Sequence, residues 1–359
     1  LLALPLLLAG CAGAPAKEKL RIFWPGLPDE PKMEFLGVYH SQHSFDKSAA
    51  QKRKEAILGM EQVQGFRKPT GIAGDSDKGV VYIADGDAQN IRVFDFNNNT
   101  VEFLSKNNIG SFLTGLALDS QGRLWVCDAN DNVVLVLDDQ GRILKTFGRD
   151  VMEKKSYVAL NERLGRVYVS DGLGHQIGVF DMDGNHLFTF GKTGDPDTNV
   201  FGPLGMAIDD QDRVFVADAL NARIQVYDAD GNHLYGFGER GDQTWQFESP
   251  RDLAFDSDGD LWITDVRKQA FMLYNTEGRL LLFFSAGTKK GTYPLAMGFP
   301  GYLWIDQNDR VYVSDQLKLR FAMWQYFSEK YSAAHPLTAE ERQKQLDLLN
   351  QLRVDAKKK

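Results

Sequence analysis

One pattern of four short, alternating segments recurs six times in this chain, and few folds can accommodate it. The fullest copy is Phe201–Gly238, FGPLGMAIDDQDRVFVADALNARIQVYDADGNHLYGFG. Apolar and polar residues alternate within it, β-branched and aromatic residues dominate the runs, and Asp-Gly or Asp-x-x-Asn breaks them. This is the pattern of an antiparallel meander. The second strands read VVYIAD, RLWVCD, RVYVSD, RVFVAD, DLWITD and RVYVSD. They end at Asp85, Asp128, Asp171, Asp218, Asp265 and Asp315, at intervals of 43, 43, 47, 47 and 50 residues. A four-stranded meander cannot bury both faces alone, so six of them must stack. The period is that of a propeller blade. The expected class is all-β: a six-bladed propeller of four-stranded antiparallel blades, with short N- and C-terminal helices.

Charge and cysteine usage narrow the function classes. A formal net charge of −8 gives no basic face for phosphate, so nucleic acid is not an expected partner. With two cysteines, Cys11 and Cys127, no disulfide framework is expected. Cys127 stands where other repeats carry Ala, Ser or Thr, as a small buried strand residue.

The first residues read as an address. Leu1–Gly10 (LLALPLLLAG) is an apolar run too short to span a bilayer and suited to the core of a signal peptide. Leu8-Ala9-Gly10-Cys11 resembles a bacterial lipobox. That resemblance implies acylation of Cys11 and a stable lipid anchor. Ala12, rather than Asp, implies the outer membrane of a Gram-negative cell. Residues 12–31 then form a tether, and 32–39 (KMEFLGVY) a strand. Residues 45–64 read as a weakly amphipathic helix with a basic cluster at Lys52–Lys54.

Residues 65–327 resemble NHL repeats. The residues that carry the resemblance are Pro203-Leu-Gly-Met-Ala-Ile-Asp209, Val216-Ala-Asp218, Asn221-Ala-Arg223-Ile-Gln-Val-Tyr227 and Asp230-Gly231. The first repeat matches through Pro69-Thr-Gly-Ile-Ala73 and Asn90-Ile-Arg92-Val-Phe94. Repeats five and six lack the asparagine, although Arg320 stands where Arg92 and Arg223 do. The sixth repeat runs out after three strands, which would leave an unpaired edge. Residues 32–39 are expected to supply its fourth strand and close the ring, so the propeller spans 32–327. Beyond it, 337–359 reads as a helix, with Thr338 and Glu341 as a capping box and Leu346, Leu348, Leu349 and Leu352 on one side.

Catalytic motifs are not found. No nucleophile elbow, Walker loop or Gly-x-Gly-x-x-Gly segment opens a helix. The six histidines do not assemble a zinc set. The Asp-x-Asp-Gly turns stop short of a calcium loop's bidentate glutamate. The repeated aspartates Asp85, Asp128, Asp171, Asp218, Asp265 and Asp315 are expected to cap their own turns. No cofactor or metal is therefore expected. Some propellers of similar architecture hydrolyse lactones or cleave peptidylglycine derivatives with a divalent channel metal. Here Asn161 and Asp252 are the obvious first-strand candidates for such a role, and they are too few.

The informative feature is asymmetry. Loops entering the first strands lengthen along the chain, and Arg251-Asp252 replaces the Thr-Gly or Leu-Gly of repeats one, two and four. A polar, aromatic lip over blades four to six is expected, drawn from Arg240, Trp245, Arg251, Asp252, Arg267, Lys268, Lys289, Lys290, Tyr293 and Lys318. The expected function is a membrane-anchored scaffold that binds another envelope protein or a small ligand. A metal-dependent lactonase-like or lyase-like propeller is the alternative.

Overall fold

The computed structural model describes residues 20–45, 53, 57, 65–192, 196–285 and 295–357, with side chains described as far as 351. Within them six antiparallel sheets form a six-bladed β-propeller. The inner strands are Pro69–Asp75, Leu113–Leu118, Lys155–Asn161, Pro203–Ile208, Pro250–Phe255 and Pro300–Ile305. Each blade runs inner to outer in chain order, because consecutive strands are joined by tight turns. The second strands are buried along nearly their whole length, as a strand with a blade on either side must be.

The ring closes through the early strand. Met33–Tyr39 pairs antiparallel with Arg320–Tyr326, from Met33 opposite Tyr326 to Tyr39 opposite Phe321. One expectation needs correction. Part of the supposed tether is sheet: Ile22–Trp24 pairs with Phe35–Met33 and gives blade six a fifth strand. The Pro-punctuated segment around it had hidden a three-residue strand. The signal run, Cys11, residues 12–19 and most of the 45–64 segment lie outside the described residues. Arg53 and Ile57 are helical.

Two helices follow blade six, Glu329–Ala334 and Ala339–Lys357. Thr338 and Glu341 make the reciprocal cap: Glu341 N donates to Thr338 Oγ1 at 3.2 Å and Thr338 N to Glu341 Oε2 at 2.9 Å. The helix meets the extra strand of blade six through Gln345, whose Oε1 accepts from Arg21 N at 2.9 Å, and through the Arg342–Glu30 pair. Among the described residues no helix is long and apolar enough to cross a membrane.

Neighbouring blades are also tied at the face opposite the entering loops. Ser120 Oγ meets Glu162, Asn161 Nδ2 meets Asp212 at 2.9 Å, and Ser257 Oγ meets Asp309 at 2.7 Å. Gln307 bonds to Ser76 and Asp77 across the closure. These contacts come from the turns after the first strands, so the repeat itself sets their spacing.

Candidate functional site

Every inner strand carries one extra residue near its start. In blade one the pairing jumps from Pro69–Asp85 to Ile72–Ile83, and the same slip recurs in the other blades. Such a bulge breaks the ladder and re-aims side chains. Its second residue in blades one, two and four is glycine. A Cβ on Gly71 would lie 2.1 Å from Thr114 O in the next blade, and one on Gly205 would lie 2.3 Å from Asp252 Oδ1. In blades three, five and six the corresponding residues are Tyr157, Asp252 and Tyr302. The sequence comparison found this departure at Arg251-Asp252 but did not bring the two tyrosines to it.

These side chains converge in the channel. The Tyr157 and Tyr302 rings stack with centroids 6.2 Å apart and planes at 8°. Asp252 is fully buried. Its Oδ1 accepts from Leu253 N at 2.8 Å and its Oδ2 from Leu303 N of blade six at 2.9 Å. The Tyr157 hydroxyl of blade three also donates to it. Asp252 N in turn donates to Thr264 Oγ1 at 3.1 Å, and that hydroxyl donates to Gly301 O at 3.0 Å. Burial pushes the Asp252 carboxyl up to about 7, against the opposing effect of these donors and of Arg251. The Tyr157 phenol is held well above its ordinary range by the same desolvation and by the Asp252 charge. One carboxylate thus joins blades three, five and six across the axis.

Below this clamp the channel is apolar. A cavity of ≈ 250 Å³ is lined by Ala73, Ala117, Ala159, Ala207, Ala254 and Trp304, among other residues. Above it, Arg251 lies over two rings, its guanidinium carbon 5.4 Å from the Phe299 centroid and 5.2 Å from that of Tyr302.

The other expected lip residues are dispersed. Arg240 donates to Leu220 O and Glu248 O, Lys268 Nζ to Gln243 O at 2.8 Å, and Lys318 Nζ to Ala296 O. They brace loops. Trp245 is half exposed. Arg267 is exposed, its backbone N donating to Asp265. Lys289, Lys290 and Tyr293 lie outside the described residues.

The repeated aspartates do more than cap their own turns. All six are buried. Asp128, Asp171, Asp265 and Asp315 accept from N–H groups two or three residues on. All six also accept from the loop entering their own blade, as in Lys68 N to Asp85 at 2.7 Å and Phe201 N to Asp218 at 2.7 Å. They staple the entering loop to the turn after the second strand.

Two positions beyond each aspartate the chain reaches solvent. The residues there are Asp87, Asn130, Leu173, Leu220, Arg267 and Leu317, and all are exposed. Blades one and two present polar side chains, while blades three, four and six present leucines exposed by 58, 54 and 71%. Phe201, Trp245 and Leu319 extend the apolar set on the same face. The sequence reading did not include these leucines, although aligning the six turns by their aspartates would have exposed the split.

A buried lysine stands apart from this face. Lys155 is fully buried at the start of blade three's inner strand, and its Nζ bonds to Asn132 Oδ1 at 3.1 Å. Desolvation pulls its ammonium down to about 8 from 10.5. Beside it, burial pushes the Cys127 thiol up to about 12, as expected of an inert packing residue. The unfolded chain therefore binds the Lys155 proton more tightly than the folded one. The Lys155 contribution to stability should rise as pH increases from about 8, and the raised Cys127 thiol opposes it only above about 9. Lys155→Met should remove that contribution and stabilise the protein at pH 7, as measured by urea midpoints of both proteins between about pH 7 and 9.

Among the described residues no group of three or more His, Cys, Asp or Glu could hold an ion. Asn161 ends its strand and is bonded to Asp212, whereas Asp252 begins its own with both oxygens occupied by N–H donors.

With this geometry established, similarity to known proteins can be set beside it. The family model for the SMP-30/gluconolactonase/LRE-like region matches residues 52–154, less than a third of the chain, covering blades one and two. No curated protein matches the sequence. Among solved structures, a gluconolactonase from Xanthomonas campestris is 16% identical, with 81% of this chain and 98% of that one covered and a TM-score of 0.58. A catalytically inactive virginiamycin B lyase from Staphylococcus aureus, with quinupristin, is 15% identical, with 74% and 83% covered and a TM-score of 0.56. A protein of unknown function from Bacteroides thetaiotaomicron is also 15% identical, with 72% and 70% covered and a TM-score of 0.61. At such identities the likeness is one of fold. The chain is a six-bladed propeller with lactonase-like and lyase-like structural neighbours.

Proposed function

We propose that this protein is a lipid-anchored component of the bacterial cell envelope, held by Cys11 at the outer membrane, that binds a ligand or partner on the face where its blades are entered. The observation that carries the proposal is the split among six equivalent positions. Folding treats them alike, yet blades three, four and six present Leu173, Leu220 and Leu317 to water while blades one and two present Asp87 and Asn130. Exposed apolar side chains repeated on one face cost solubility and mark interaction surfaces, here with Arg267 of blade five between Leu220 and Leu317. Leu220→Asp combined with Leu317→Asp should abolish recovery of whatever partner the wild type retains from detergent-solubilised envelope. Asn130→Asp should leave it unchanged. Equal recovery by all three would overturn the reading.

A second reading rests on the family match over residues 52–154 and on the neighbours named gluconolactonase and virginiamycin B lyase: ring opening of a cyclic ester. A channel cation is poorly supported by the residues here, because the Asp252 oxygens are taken up in the clamp. Metal analysis of the purified protein and lactone turnover test this directly. Stoichiometric metal with turnover would favour the enzyme.

A further inference from the structure

We propose that Arg251 is the recognition residue for a monoanionic carboxylate on an apolar ligand body, received at the channel mouth. This deepens the binding reading of the same face and rests on it.

The first argument is hydrogen-bond accounting. At the first bulge position, Thr70 Oγ1 donates to Ala84 O and Leu113 O, and Thr114 Oγ1 to Cys127 O, so the threonines are consumed by the fold. Arg251 takes that position in blade five and makes no such bond. Its Nε is buried without an acceptor, and its Nη2 meets the Tyr302 hydroxyl at 3.4 Å, at the edge of hydrogen-bond range. Arg92 and Arg223 on this face are engaged with Asp85 and Asp218, and Arg240 with two carbonyls; Arg320 has a buried Nε without an acceptor too, but its Nη2 donates to Ala296 O at 2.6 Å. An unmatched buried donor is costly, so one that persists needs a reason.

The second argument is geometry. The Phe299 and Tyr302 rings flank the guanidinium, with its carbon 5.4 and 5.2 Å from their centroids, and its N–H groups are the recognition element. A planar fork of this kind matches a carboxylate bidentately. The same two rings, Phe299 and Tyr302, supply apolar surface for the ligand body.

The third argument selects the charge. The neighbouring Asp252 carboxylate does not neutralise Arg251 by contact, since its oxygens face Leu253 N, Leu303 N and Tyr157. The net charge of −8 disfavours a dianion such as phosphate. A single negative charge fits one unshared guanidinium.

The test is saturation-transfer NMR with the whole protein at pH 7, using benzoate as probe and phosphate as competitor. Benzoate should bind the wild type. Arg251→Gln should weaken it tenfold or more, Arg251→Lys should restore part of the loss, and phosphate should not displace it. Melting curves establish that the variants are folded, and the lysine variant, which keeps the charge, serves if the glutamine one unfolds. Unchanged binding in Arg251→Gln, displacement by phosphate, or no transfer to benzoate up to about 10 mM would overturn the proposal. Should the Leu220 and Leu317 variants lose their partner while benzoate ignores Arg251, this inference fails and the broader reading stands.

Discussion

Replacing Asp252 with alanine should destabilise the propeller by about 1–3 kcal/mol for each buried donor left without its acceptor. The loss has identifiable parts. Leu303 N and the Tyr157 hydroxyl are left without their acceptor in a buried site, and the tie between blades three, five and six disappears. Tyr157→Phe should cost less, roughly 1 kcal/mol, because the ring keeps its stack on Tyr302. The pH response separates a clamp from mere packing. Asp252 holds its proton to about 7 in the folded protein against 3.8 ordinarily, so its contribution is fully present below pH 3.8 and is lost as pH rises through 7. Asp256, also pushed up to about 7 by burial, adds a second contribution of the same sign. Asp252→Asn should therefore remove this contribution, so that stability falls less, or rises more, between roughly pH 4 and 7 than in the wild type. Urea midpoints at several pH values measure it. A variant as stable as the wild type with an unchanged pH profile would show that Asp252 does not clamp the channel.

Legibility from sequence divides along a physical line. Strand period, turn residues and the recurrent aspartates are local signals, and they sufficed for six blades of antiparallel strands. The channel was legible in one part. Arg251-Asp252 stood out because two residues broke a repeat at one place. Tyr157 and Tyr302 broke the same repeat but looked like ordinary strand aromatics. Only the bulge, which turns that position toward the axis, shows that blades on opposite sides of the ring meet there. Contacts within the expected polar, aromatic lip were not legible, for the opposite reason. Arg240, Lys268 and Lys318 are charged in sequence, but they reach backbone carbonyls of neighbouring loops, contacts that no spacing along the chain announces. The exposed leucines follow from register too, since hydrophobicity alone reads Leu220 or Leu317 as core.

A chain that begins at Phe66 should fail to form the cooperative propeller. Residues 33–39 are the fourth strand of blade six, and they occupy the edge of Arg320–Tyr326, where Phe321 and Trp324 are fully buried. Removing them strips six ladder positions of partners and uncovers aromatic packing. Phe35 meets Trp324 edge-on at 4.9 Å, and Tyr39 stacks on Phe321 at 5.0 Å and 17°. Met33, wholly buried, goes with them. Losing several such side chains at ~3–5 kcal/mol for each aromatic exceeds the 5–15 kcal/mol that holds a typical domain together. An uncovered strand edge also templates association. The shortened chain should aggregate or unfold at 37 °C. A milder version isolates the same contacts: Tyr39→Ala in the full chain should cost about 3–5 kcal/mol, since Tyr39 also meets Phe96 at 5.0 Å and Phe45 at 5.7 Å, joining blade six to blade one. Because the ring closes on these residues, the loss should lower a single transition and not split it. Denaturant unfolding followed by both tryptophan fluorescence and far-ultraviolet circular dichroism decides the point. A Phe66 chain that unfolds at the wild-type denaturant concentration would show that the ring does not depend on its first strand.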